Sequence, residues 1–310
     1  MKIVFLGTGA IGGPSLRSLA ADPQIEVAAV FTQPDKPAGR QMKLRHSPIK
    51  EIALELGLPV FQPVKLRTPE SVAEIAQFGA DVFVVVAYGQ ILPKSVLDLP
   101  RLACLNVHAS LLPLHRGASP IQSAILAGDA ETGVTIMQMD VGLDTGPMML
   151  KAVTPIGERE TAGELHDRLA AIAVEPLRQV LRSLETGDAV REPQDDSLAT
   201  YAPKLKKEDG LVDWTLPSRE IDLRIRAMLP WPGAFTRFNG DEVLKIHRFA
   251  LSKDAQGAPG VVISSGNEGI LVAAGDGGIL LEEVQVAGGK RLSAGDFLRG
   301  RPMPAGTVLS

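Results

Sequence analysis

Over its first 140 residues the chain alternates short apolar runs with amphipathic ones, and nothing else in the sequence restricts the fold as strongly. KIVFLG (2–7), EVAAVF (26–31), DVFVVVA (81–87), ACLNVH (103–108) and VTIMQM (134–139) have the composition of strands. Between them SPIKEIALELG, TPESVAEIAQFG and ASPIQSAILAG place apolar residues at helical spacing. Strands that alternate with helices predict an α/β fold built on a mostly parallel, doubly wound (Rossmann-like) sheet. KIVFLG has no polar face, as expected of a strand covered on both sides. The helix after it starts in GAIGGPSLRSLA, with Pro14 in its first turn.

The chain has 310 residues, more than the roughly 100–200 of one domain. Residues 161–184 predict one helix through Pro176, with Leu165, Leu169, Ile172 and Leu177 on one stripe and Gly187 as its stop. DAVREPQDDSLATYAPKLKK (188–207) is polar and aperiodic, the texture of a linker. Beyond it PSREIDLRIRAM reads as a helix. AFTRFN, VLKIHRFA, GVVISS, GILVAAG, GILLEEVQVAG and GTVLS then read as short strands of a small β-barrel, of the five-stranded oligonucleotide-binding (OB) type. The expected division is therefore 1–187, a linker over 188–207, and an OB-like domain over 208–310.

A net charge of -4 gives no overall attraction to a polyanion, so any nucleic acid must bind local basic patches. The single cysteine, Cys104, excludes an internal disulfide and a cysteine-ligated zinc site. A reducing, cytoplasmic setting follows. The apolar run after Lys2 is only IVFL, too short for a signal-peptide core or a membrane span. A soluble protein is expected, with no metal and no membrane partner.

GTGAIG (7–12) follows a strand, precedes a helix and matches the dinucleotide fingerprint, which would suit a nicotinamide dehydrogenase. The acidic residue such a site needs would be Asp35, 28 positions after Gly7, but it lies within TQPDKPAGR, beyond the second strand's tip. These glycines are read as a tight strand-to-helix turn instead.

Stronger chemistry sits at the end of ACLNVH. Residues two apart in a strand share a face, so Asn106 and His108 face one space, at the strand edge where open α/β sheets bind ligands. An imidazole can exchange a proton near neutral pH, and an amide can donate to a developing oxyanion. DVGLDTGP (140–147), a shaped loop after VTIMQM, can return Asp144 to the same edge, where a carboxylate would orient the imidazole and raise its pKa. Cys104, two positions deeper on the same face, is read as packing.

NVHASLLP, the following RGASP, and DVGLDTGP resemble the folate-dependent formyltransferases. The two-domain layout resembles the branch of that superfamily that formylates initiator methionyl-tRNA. The resemblance spans nearly the whole chain. It implies that Asn106, His108 and Asp144 carry out the transfer, with no metal and no covalent enzyme intermediate. It also implies that Ser110, Leu111, Leu112 and Pro113 line the site for 10-formyltetrahydrofolate, the formyl donor, and that VVAYGQILP (85–93) is the loop that encloses its pterin, through Val86, Tyr88, Gly89 and Leu92. His115 departs from the aromatic residue usual before Arg-Gly in the family, and a packing role is expected for it.

The segment 33–50 carries Lys36, Arg40, Lys43, Arg45 and Lys50 against one acid, Asp35, and is long for a strand-to-helix loop. With the family resemblance it implies a grip on a tRNA acceptor stem through Arg40, Lys43 and Arg45, to which the linker adds Lys204, Lys206 and Lys207. The product would be N-formylmethionyl-tRNA for translation initiation, made by a monomer. Sugar-nucleotide N-formyltransferases share the triad, glycinamide ribonucleotide formyltransferase lacks the second domain, and formyl-folate hydrolase-type domains discharge the group to water. A noncatalytic tRNA-binding protein is a further alternative.

Overall fold

The computed structural model describes residues 1–38, 43–240, 242–253 and 255–310. Its helices are α1 (Gly13–Ala20), α2 (Pro48–Glu55), α3 (Pro69–Ala76), α4 (Lys94–Leu97), α5 (Pro120–Ala127), α6 (Ala162–Ile172), α7 (Val174–Thr186), α8 (Ser218–Met228) and α9 (Ala294–Gly300). Beside the expected division, the compact units run discontinuously. One comprises residues 1–120, 131–155 and 166–202, the other 121–130, 156–165 and 203–310.

Seven strands form the sheet of the first unit: β1 (Lys2–Gly7), β2 (Glu26–Phe31), β3 (Val60–Phe61), β4 (Val82–Val86), β5 (Ala103–His108), β6 (Glu131–Gln138) and β7 (Met148–Pro155). Their order is β7-β6-β5-β4-β1-β2-β3. From β3 to β5 all neighbours are parallel. The last two, β6 and β7, run antiparallel. Strand composition does not encode direction, so VTIMQM joins the sheet but reverses it. Central β1 and β4 are almost wholly buried, which explains their unbroken apolar runs. Phe31, Phe61 and Phe78 close one side of this core, with the rings of Phe31 and Phe61 stacked at 5.1 Å.

Helices α2 and α3 start alike. Ser47 and Thr68 accept from the backbone N–H of Lys50 and Ser71, and a proline follows each cap. The single helix expected over 161–184 is two helices, α6 and α7. Pro176 has no N–H and its ring crowds the carbonyl four residues back, so it is tolerated only in the first turn of α7. Gly187, at φ 85°, ends α7 as expected.

The stretch read as a linker docks over most of its length. Glu192 exchanges backbone hydrogen bonds with Met148, and Tyr201–Ala202 pairs in parallel with Arg116–Gly117. Its aperiodic sequence records the lack of a regular helix or strand, not a lack of partners.

In the second unit, β8 (Phe235–Phe238), β9 (Glu242–Ser252), β10 (Val262–Ser265), β11 (Ile270–Ala273) and β12 (Gly278–Val286) form an antiparallel, curled sheet in the order β8-β9-β12-β11-β10; β13 (Leu292–Ser293) joins β12. GTVLS is not a regular strand. It links the two edges instead, because Thr307 and Leu309 bond to Val262 and Gly260, and Ser310 exchanges both backbone bonds with Arg237. The sheet thereby takes the barrel-like form expected of an OB-type domain. Leu244, Ile246, Val272, Ile279 and Leu281 fill its interior, and the buried indole of Trp214 donates to Thr236 Oγ1 at 2.9 Å. Helix α9 was not anticipated; its signal is Ser293, whose hydroxyl caps the N–H of Asp296.

Candidate active site

At the carboxyl end of β5 the chain turns away from the sheet through ASLLPLHRG. Thr135 on β6 fastens this turn, donating from Oγ1 to Ser110 O at 2.7 Å and accepting from Leu112 N at 3.1 Å. The Ser110 hydroxyl donates to Leu114 O at 2.6 Å. Leu112 is packed with Met137 and Met148, so its side chain is core. Leu111 and Pro113 are half-buried beside it.

Asn106, His108 and Asp144 come together as their spacing predicts. Asn106 Nδ2 donates to Asp144 Oδ1 at 3.2 Å, and His108 Nδ1 stands 3.6 Å from Asp144 Oδ2. The same Oδ2 accepts from Gly117 N at 2.9 Å. His108 Nε2 lies 3.0 Å from the carbonyl oxygen of His115. A carbonyl can only accept, so Nε2 carries the proton and a neutral imidazole has its lone pair on Nδ1, facing the carboxylate side.

Burial dominates the electrostatics of His108. Desolvation lowers its pKa from the ordinary value and outweighs the nearby Asp144 and the His115 carbonyl, which both act to raise it. The expected upward pull of Asp144 on the imidazole is present, but the ring is 5% exposed and loses more by leaving water, so its pKa falls overall.

Backbone strain is concentrated here. His115 (φ 58°), Asp144 (φ 54°) and Ala87 (φ 45°) are non-glycine residues in the left-handed region. Such conformations cost on the order of 1–3 kcal/mol each and persist where surrounding contacts hold them. His115 fills a buried position, so its role is packing together with the bond its carbonyl makes to His108. Arg116, 2% exposed, donates to Gln194 Oε1 from Nε and Nη2 at 3.0 and 2.8 Å, and to Asp196 Oδ1 at 2.7 Å. Gln194 was not anticipated: a glutamine in a polar, aperiodic stretch gives no signal of where its amide will point.

The end of β4 forms the neighbouring wall. Val86, Tyr88 and Leu92 turn their side chains into the protein, leaving Ala87, Gly89 and Ile91 exposed. This loop's outer face is thus backbone plus the Ile91 side chain. Gly9 N donates to Ala87 O at 3.3 Å, Thr8 Oγ1 to Tyr88 O at 2.9 Å, and Gln33 Nε2 to Tyr88 O and Gly89 O at 3.0 and 2.9 Å. The glycine motif serves this junction. A Cβ on Gly7 would stand 2.7 Å from the Phe5 ring, and one on Gly12 would stand 3.2 Å from the Val86 side chain.

The basic segment is a hairpin at its root, Lys36–Ala38 pairing with Lys43–Arg45. Arg40 lies outside the described residues, as does the side chain of Lys43. Arg45 is exposed. Lys50 is tied inward, donating to Asp35 Oδ2 and Gln62 Oε1, both at 2.7 Å. Hydrogen bonds from Lys50 and Gln62 hold the Asp35 carboxyl below its usual range. In the other unit Lys204, Lys206 and Lys207 are exposed. Cys104 is packed against Met139, and burial pushes its thiol up to about 12. Among the described residues no group of three or more His, Cys, Asp or Glu could hold a metal ion, and no helix is long and apolar enough to cross a membrane.

Residues 1–181 match the formyl transferase family and residues 204–302 match the formyl transferase C-terminal domain. The chain belongs to the formyl transferase family. Within it, the methionyl-tRNA formyltransferase of Citrifermentans bemidjiense is 49% identical over 309 residues, covering 100% of this chain and 96% of that protein. That of Pseudomonas syringae pv. tomato is 49% identical over 311 residues, covering 100% and 98%. The formyl transferase fold also recurs in solved structures. WlaRD, a sugar 3N-formyl transferase crystallised in the presence of dTDP and 5-N-formyl-THF, has a TM-score of 0.67 at 19% identity, covering 93% of this chain and 98% of that one. HypX from Aquifex aeolicus in complex with tetrahydrofolic acid has a TM-score of 0.65 at 18% identity, covering 100% of this chain and 50% of that one.

Proposed function

We propose that the protein transfers a formyl group from 10-formyltetrahydrofolate to the α-amine of initiator methionyl-tRNA. The observation that carries the choice of acceptor is the 49% identity, over nearly their whole length, to proteins named methionyl-tRNA formyltransferase. The juxtaposition of Asn106, His108 and Asp144 supports the chemistry.

In this reaction a bond forms between the α-amine nitrogen and the formyl carbon, and the bond from that carbon to the folate nitrogen breaks. Asn106 has a second amide N–H beyond the one given to Asp144, and it stabilises the oxygen on which negative charge gathers. One such donor is worth about 2.7–4 kcal/mol. Neutral His108 accepts the amine's proton at Nδ1 and returns it to the departing nitrogen, so protons and electrons balance without metal or redox chemistry. Asp144 orients the ring and stabilises its transient positive charge. Ser110, Leu111, Leu112 and Pro113 shape the donor side, with Val86, Tyr88, Gly89 and Leu92 setting the backbone of the facing loop. Arg40, Lys43 and Arg45 engage the tRNA, joined by Lys204, Lys206 and Lys207.

On this reading residues 1–187 form the catalytic domain, 188–207 the connection and 208–310 the tRNA-binding domain of a cytoplasmic monomer. The deciding assay offers the purified protein 10-formyltetrahydrofolate with either charged initiator methionyl-tRNA or a UDP-amino sugar. Formylation of the tRNA is expected; formylation of the sugar alone rejects the acceptor.

A further inference from the structure

We infer that Gln194 is a positioning residue for the reacting pair: its amide locks the backbone of the Asp144 loop to the Arg116 guanidinium and so sets where the carboxylate stands against His108. The role assumes that His108 and Asp144 are the reacting groups proposed above. Gln194 Oε1 accepts from Arg116 Nε and Nη2, while Nε2 donates to Asp144 O at 2.8 Å and Gly146 O at 2.7 Å. Two acceptor sites and two donors are all that an amide side chain has, so Gln194 is saturated.

These bonds close a ring. The Arg116 side chain holds Gln194, Gln194 holds the backbone of Asp144, and the Asp144 carboxylate accepts from Gly117 N, next in the chain to Arg116. Both the backbone and the carboxylate of Asp144 are therefore referenced to one dipeptide, which fixes the carboxylate as well as the loop. Asp144 is in a left-handed conformation that must be held by its surroundings, and the two bonds from Gln194 fall on it and on the residue two further along. The ion pair of Arg116 with Asp196 cannot substitute. Asp196 is 81% exposed, makes no bond to the Asp144 loop among the described contacts, and is well screened by solvent.

Glutamate at this position keeps the shape and can still accept from Arg116, but it turns the donor nitrogen into an oxygen facing two carbonyl oxygens. Gln194→Glu is thus the most informative variant, and Gln194→Met, which removes all four bonds at similar length, is its neutral companion. Formylation of charged initiator methionyl-tRNA is measured on the full chain, with rates expressed per folate-binding site counted by titration with 5-formyltetrahydrofolate. For both variants kcat per site is expected to fall about 10- to 100-fold, the scale of loss when an outer partner that orients a metal ligand is removed. The KM for either substrate should stay within about threefold, a split that a smaller folded fraction would not produce once rates are counted per site. If the glutamate variant does not fold, the methionine variant decides.

A kcat within about threefold of the parent, a loss carried by KM, or failure of both variants to fold overturns the positioning role. His108→Ala is assayed in parallel. Full activity there sinks the assignment of the site itself, whereas an inactive His108→Ala beside unimpaired Gln194 variants sinks only the role of Gln194.

Discussion

The same sheet edge carries two polar clusters, one beyond β1 and β2 and one beyond β5, and they do opposite things with their charges. Beyond β1 and β2, Asp35 has a permanent cation, Lys50, within 2.7 Å and an amide, Gln62, within 2.8 Å. Nearby Thr8, Gly9 and Gln33 take up the carbonyls of residues 87–89. Asp35 is held mainly by that cation and that amide, with the exposed His46 imidazole 3.6 Å away, and the outcome is a scaffold that shapes the adjoining loop. Beyond β5, Asp144 faces an imidazole whose pKa burial draws down, at 3.6 Å rather than in a closed hydrogen bond. That pair still has a proton to take up. A glycine fingerprint with an acidic residue beyond it therefore marks the scaffold end of this edge, and a single Asn-x-His marks the end proposed to carry the transfer.

The widest gap between the two clusters should appear on removing a side chain from each. His108→Ala or Asp144→Ala is expected to lower kcat by about 10²- to 10⁴-fold while donor affinity changes little, as read by steady-state kinetics and folate titration. Full turnover in either variant takes that residue out of the mechanism. Asn106→Ala should follow, with a loss of about 10²- to 10³-fold in kcat and no comparable rise in KM.

Proton chemistry sharpens the contrast. Because burial lowers the His108 pKa below 6.5, kcat/KM should be level near pH 7 and decline only as the pH falls through that lowered value. A carboxylate favours the protonated ring, so in Asp144→Asn the residual activity should hold to a still lower pH. Movement of that limb to higher pH would contradict the electrostatic role of Asp144.

Asp35→Asn tests the scaffold end. Loss of the paired charge is expected to cost about 1–3 kcal/mol in denaturant unfolding, with turnover per folded molecule kept within about twofold. Catalytic loss without destabilisation would erase the distinction between the two clusters. In the basic segment that follows β2, Arg40→Ala or Arg45→Ala should raise the KM for tRNA by about 3- to 10-fold, reduce its salt dependence and leave kcat unchanged. Unchanged tRNA kinetics would make that basic segment an ordinary solvated face. Asp196→Asn should do least, changing stability by under about 1 kcal/mol and turnover by under about twofold, since its partner Arg116 keeps Gln194.

Much of this was legible from residue patterns because patterns record burial. Unbroken apolar runs marked β1 and β4, period-two spacing put Asn106 and His108 on one face, and Gly187 marked the end of α7. The resemblance of NVHASLLP and DVGLDTGP to the formyltransferases named the transfer, and the family matches agree with it. Hydrogen-bond partners far along the chain leave no such mark. Gln194 lies 78 positions from Arg116 and 50 from Asp144, in a stretch whose composition says only that it is polar.

The sequence by itself determined the layered α/β architecture, the barrel-like second unit and the identities of the amide, imidazole and carboxylate, since each follows from local spacing and side-chain chemistry. Only the tertiary structure decided that β6 runs against the other strands of its sheet, that a glutamine joins the two loops of the site, and that burial draws the His108 pKa down. Those outcomes depend on which groups are brought together and how far they are taken from water, and both are properties of the folded whole.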